Sequence, residues 1–86
     1  MRSVEEIADE ILRLFVRDGY KPGEPLMERV ITSRYARTLQ REERQNLSAA
    51  IELLVCNGYI EPSDRIDYCY ILTNQGYNKL QNNNQQ

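Results

Sequence analysis

The sequence predicts a mainly α-helical domain that carries a small antiparallel β unit of two or three strands and closes on a short C-terminal helix. Three observations predict it. Apolar residues recur at helical period from Val4 to Phe15, and again at Leu47, Ala50, Ile51, Leu54 and Val55. Beyond Gly58 the pattern becomes extended, with Ile66, Tyr68, Tyr70 and Leu72 at period two. Thr73 then stands where a cap opens a last helix, with Leu80 on its inner side.

Eighty-six residues make one domain with a single core. Residues 1–80 are that domain, and 81–86, all Asn and Gln, are expected to be a disordered tail too polar to pack. Apolar residues at 41% and charged residues at 28% are ordinary for a soluble globular chain. No apolar run approaches the roughly 18–20 residues of a membrane span, and no signal-peptide pattern opens the chain. Cys56 and Cys69 suit a reducing compartment better than a secreted disulfide scaffold. A cytoplasmic location and no membrane partner are expected.

Net charge is low for a nucleic-acid binder, at −2, with a pI near 5.1. Its distribution matters more, because phosphates are met by one face. Between Glu28 and Glu52 stand five arginines (Arg29, Arg34, Arg37, Arg41 and Arg44) against four glutamates. The remainder of the chain is therefore the acidic part.

In chain order, Ser3 and Glu6 have capping-box spacing ahead of the first helix. Val4, Ile7, Ala8, Ile11, Leu14 and Phe15 form its apolar stripe, and Asp9 precedes Arg13 in the favourable order for a surface pair. Gly19 is the expected stop. Leu12 and Val16 lie beside the stripe, as either a wider core face or a partner-binding edge. Gly19 to Pro25 is a turn-rich connector, and Pro25 suits the first position of a second helix within Leu26–Thr38. Gly58 ends the helix that starts ahead of Leu47. Tyr59-Ile60-Glu61 reads as one strand, Pro62 to Arg65 as a tip, and Ile66 to Leu72 as the next strand.

The pattern carried by Leu47, Ala50, Leu54, Gly58, Tyr59, Ile60, Tyr70, Leu72, Thr73, Gly76 and Leu80 resembles the second half of a winged helix-turn-helix domain of the MarR and PadR type of transcriptional regulator. The first helices match only in order and size. The resemblance implies a three-helix winged helix-turn-helix whose third helix starts near Glu42 to Arg44. No glycine marks the turn before it, where helix-turn-helix turns often have one.

If the resemblance extends to DNA, the third helix enters the major groove with its N-terminal end leading. Arg44 and Gln45 would then contact bases, as arginine pairs with guanine and glutamine with adenine. Ser48 and Ala49 would follow on the same face. Arg34, Arg37 and Arg41 would hold phosphates, which position without specifying, and Arg65 would reach a phosphate or the minor groove from the wing tip. The competing reading is a plain solvated face, with Glu42, Glu43 and Glu52 neutralising Arg41 and Arg44 in place, and Asp64 and Asp67 weakening Arg65. Tyr68 and Tyr70, at strand period, read as wing core rather than as stacking platforms.

Enzymatic chemistry finds little support. The chain has no histidine, no metal-ligand spacing around its two cysteines and no phosphate-binding glycine loop. No catalytic residue, metal or cofactor is expected. Two readings remain: a small DNA-binding transcriptional regulator, dimeric through Leu12, Val16 and the last helix, or a winged-helix protein–protein interaction module that does not bind DNA.

Overall fold

The computed structural model describes residues 1–17 and 22–84, with the side chains of residues 16, 17 and 82–84 outside the description. Helix α1, Val4–Arg17, opens as the spacing predicts. Ser3 N–H donates to Glu6 Oε1 at 3.1 Å, and Glu6 N–H donates to Ser3 Oγ at 3.2 Å. These bonds favour the charged carboxylate and hold Glu6 below its usual range. Ile7, Ala8, Ile11 and Phe15 are buried as the stripe requires, and so is Leu12. The partner-binding edge is therefore corrected: Leu12, at 0% exposure, is core. Val16, its expected companion, and Gly19, the expected stop, lie outside the described side chains and residues respectively. Asp9 and Arg13 form no ion pair.

The second helix does not begin at Leu26. Pro25–Met27 is instead a strand, β1, in which Leu26 is buried between two exposed neighbours. Proline is tolerated there because it is the strand's first residue. Helical structure follows as a π-helical segment, Val30–Tyr35, that tightens into a 3₁₀ turn, Ala36–Thr38. Ile31, Tyr35, Ala36 and Leu39 face the core.

The next turn manages without glycine because it needs no positive φ. Leu39 and Gln40 are both extended, at φ −97° and −71°. A single-turn helix α2, Arg41–Arg44, then leads into α3, Leu47–Cys56. The break at Gln45–Asn46 is slight, since Asn46 N–H still reaches Glu43 O and Ala50 N–H reaches Asn46 O, each at 3.0 Å. Glu43, Leu47, Ala50 and Leu54 form one continuous buried row across both pieces.

Gly58, at φ +75°, ends α3 as expected. Gly58 N–H donates to Val55 O and Tyr59 N–H to Leu54 O, the paired bonds of a left-handed helix cap. Strand β2, Ile60–Pro62, follows directly, then a loop, and β3, Cys69–Leu72. The three strands form one antiparallel sheet in the order β1-β3-β2, with Leu26 opposite Tyr70 and Ile60 opposite Leu72.

The second hairpin strand is shorter than its alternation suggested. Ser63 Oγ accepts the N–H groups of Arg65 and Ile66, which curls the chain into a loop. Tyr68 leaves that loop at φ +61°, an uncommon conformation for an aromatic residue. Ile66 and Tyr68 are therefore 50% and 81% exposed, not packed with Tyr70 and Leu72. Replacing Tyr68 with glycine is expected to leave stability within about 1 kcal/mol of the parent, because relieved backbone strain offsets the glycine's unfolded-state entropy. Tyr70→Ala, on a half-buried ring, is expected to cost about 1–2 kcal/mol. Urea denaturation of the two variants measures the difference; equal losses would restore Tyr68 to the core.

Helix α4, Asn74–Asn84, completes the fold and covers residues 81–84 of the expected tail. Leu80 is buried against the core, as expected. The last helix therefore keeps its leucine for its own domain rather than for a second copy. Lys79 lies over the Tyr59 ring, 5.2 Å from its centre.

Candidate nucleic-acid interface

The residues expected to meet DNA are all exposed. Arg41, Arg44 and Gln45 stand on α2 and the break after it, and Ser48, Ala49 and Glu52 continue that face along α3. They are turned outward by the buried row of Glu43, Leu47, Ala50 and Leu54 on the opposite side. Arg34 and Arg37 lie on the π segment and the 3₁₀ turn. There they share a shallow groove of about 440 Å³ with Met27, Arg29, Val30 and Ser33. Arg65 stands apart, on the hairpin loop between exposed Asp64 and Ile66.

Arg44 and Ser48 line a second cleft, of about 500 Å³, between α3 and the sheet. Leu47, Ile51 and Val55 of α3 and Tyr70 of β3 supply its apolar side, and Glu28, Thr32, Glu52 and Pro62 complete it. The structure thus brings Arg34 to Arg37 and Arg44 to Ser48, but gathers neither Arg41, Gln45 nor Arg65 into these linings. Arg29 lines the first groove too, although the sequence pattern assigned it no contact of its own. Its spacing from Ser33 and Arg37, four and eight residues on, is that of one helical face, which was the available signal.

Of the three glutamates expected to neutralise these arginines, Glu42 and Glu52 are exposed and Glu43 is buried. Glu43 was a candidate to neutralise Arg41 or Arg44, and it does neither. It is 2% exposed and accepts the N–H of Gln40 and the N–H of Arg2, each at 2.7 Å. Those bonds, with the Arg2 guanidinium 3.4 Å away, hold its carboxyl below the usual range against the opposing effect of burial. Arg2 also pairs with Glu10 at 2.7 Å, which pushes the guanidinium's own pKa further up. The Tyr35 hydroxyl donates to Glu10 Oε1 at 2.7 Å, and burial together with Glu10 pushes the phenol well up. One polar cluster thus ties the N-terminus and α1 to the π segment and α2.

Among the described residues, the ion pairs are those of Arg2 alone. Arg29, Arg34, Arg37, Arg41, Arg44 and Arg65 are all without one. No cluster of three or more histidine, cysteine or acidic side chains there could hold a metal ion. Cys56 is an exposed free thiol and Cys69 a buried one. No described helix is long and apolar enough to cross a membrane.

The chain matches no protein-family model, no curated protein and no solved structure. Its own residues and their placement are the grounds for a function.

Proposed function

We propose that this is a small winged-helix DNA-binding protein, a transcriptional regulator of the cytoplasm that lays α2 and α3 in the major groove. One observation carries the reading: the arginines between Glu28 and Glu52 are exposed and unpaired, while Glu43, one of the three acids expected to neutralise them, is withdrawn into the core. Unpaired guanidinium groups gathered on one stretch of an acidic chain suit a polyanion. The order of elements supports it too, with a helix, a strand, two helical pieces joined by a short turn, and a hairpin whose second strand lies at the sheet's centre. Arg44 and Gln45 then read bases, with Ser48 beside them. Arg34, Arg37 and Arg41 hold phosphates, joined by Arg29, and Arg65 approaches from the hairpin.

Binding to a random-sequence duplex, followed by fluorescence anisotropy over a range of salt, tests this. The logarithm of the affinity should fall against the logarithm of salt with a slope of about −0.9 per phosphate contact, hence roughly −3.6 for Arg29, Arg34, Arg37 and Arg41. Arg34→Ala with Arg37→Ala should lower the slope by about two, and Arg44→Ala should weaken binding further. No detectable binding at low salt would sink the reading.

A second reading has its own observation. Ile66 and Tyr68 are exposed on a hairpin loop that also carries Asp64 and Asp67. An apolar, acidic tip suits a basic protein surface better than a phosphate backbone. A protein partner lost on Tyr68→Ala, together with no affinity for DNA, would favour an interaction module.

A further inference from the structure

The cleft between α3 and the sheet has two kinds of lining. Leu47 is buried there, and Ile51, Val55 and Tyr70 are half-buried, so together they make an apolar floor. Glu28 and Glu52 also line the cleft, and neither is in an ion pair although Arg44 lines it as well. The Thr32 hydroxyl is turned away, donating to Glu28 O at 3.2 Å, and so offers no proton to an incoming acceptor. Glu28 is close enough to Tyr70 for its charge, after burial, to push the phenol's pKa up.

We propose that this cleft binds a small amphipathic organic cation, an aryl- or alkyl-ammonium, with its apolar body on Ile51, Val55 and Tyr70 and its charge at Glu28 and Glu52. Size supports a small molecule, because about 500 Å³ falls within the range of ligand pockets. Charge selects the sign: two carboxylates against one guanidinium among the lining residues favour a cation inside the cleft. Carboxylates in water bind a cation weakly by themselves. Here the apolar floor displaces water from one side of the ligand, so the two contributions act together.

An occupant would sit beside Arg44 and Ser48 and so bear on their contacts with bases. That consequence rests on the DNA-binding reading; occupancy of the cleft does not.

The test is a titration of the full chain with 2-phenylethylammonium, watched through the methyl signals of Ile51 and Val55. Saturable shifts at those methyls are expected. Affinity should be roughly tenfold lower for the neutral 2-phenylethanol, and lower by a similar factor in the Glu28→Gln, Glu52→Gln double variant. Neither glutamate is in the core, and unchanged signals from α1 would verify that the variant is folded. Shifts that do not saturate, shifts centred elsewhere, or equal affinities for the alcohol or in the variant would overturn the proposal. No DNA enters the experiment, so its failure is separable from failure of the DNA-binding reading.

Discussion

Gly76→Ala is expected to lower stability by about 3 kcal/mol, which for a domain of this size is a fall in melting temperature of roughly 12–24 °C. A methyl group at residue 76 would run into the Tyr59 carbonyl oxygen and stand 2.9 Å from its carbon and 3.0 Å from a methyl of Leu72. The first two are backbone, so α4 as a whole must move. That movement breaks a tightly built corner. The Thr73 hydroxyl lies 2.6 Å from Gly58 O and 2.9 Å from Tyr59 O, to which it donates, and accepts Gly76 N–H at 3.0 Å. It thereby caps α4 and holds the end of α3 at once. Alanine's better helix propensity, worth about 1 kcal/mol over glycine, opposes the clash but is the smaller effect. Alanine at exposed Asn78, in the same helix, should leave stability unchanged or slightly raised. Thermal unfolding of the two variants measures the contrast, and a Gly76→Ala protein as stable as the parent would mean that α4 does not rest on Tyr59.

Glu43→Ala is expected to be the most damaging loss of any carboxylate among the described residues. It empties a buried position and leaves the N–H groups of Gln40 and Arg2 without their acceptor. A fall in melting temperature on the order of 10 °C is expected, against almost none for Glu42→Ala next to it on the surface. Acid should act through the same group. The folded protein holds Glu43 below its usual range, whereas an unfolded glutamate titrates near about 4.3. The folded state therefore binds this proton less readily than the unfolded one. Its contribution to stability is fully present above that unfolded value and is lost as pH falls through the lower, folded one. Glu6, lowered by its bonds to Ser3, acts in the same direction. Melting temperatures at neutral pH and near pH 3 should differ more for the parent than for Glu43→Gln. An equal acid response in both would remove Glu43 from the acid transition.

These two positions also mark how far the chain could be read unfolded. Much that depends on neighbours within about a turn was legible, though neither the missing Asp9–Arg13 pair nor the Ser63 turn was. The Ser3–Glu6 box, the α1 stripe, the Gly58 stop, the Thr73 cap and the inward Leu80 all follow from spacings of three or four residues, or from one residue's backbone freedom. Gly76 was legible as part of a pattern but not as a contact, because the carbonyl it must clear belongs to another corner of the chain.

Tertiary structure decided most of the rest, and the main physical reason is sequence separation. Strand β1 exists because Pro25 to Met27 find their partners at Cys69 to Ile71. Three residues are too few for a period-two signal, and Leu26, Val30 and Ile31 together imitate a helix. The alternation from Ile66 to Leu72 is real, but the Ser63 hydroxyl and the backbone at Tyr68 cut it into a loop and a strand. Leu12 beside a stripe reads equally well as core or as edge until the surrounding elements close over it. The candidate site divides in the same way. Its arginines could be named from composition and spacing. That Glu43 does not pair with them could not be read, because it is shared between Gln40 and Arg2, the latter 41 residues away. A long-range contact thus helps to remove one glutamate from the face that the local sequence builds.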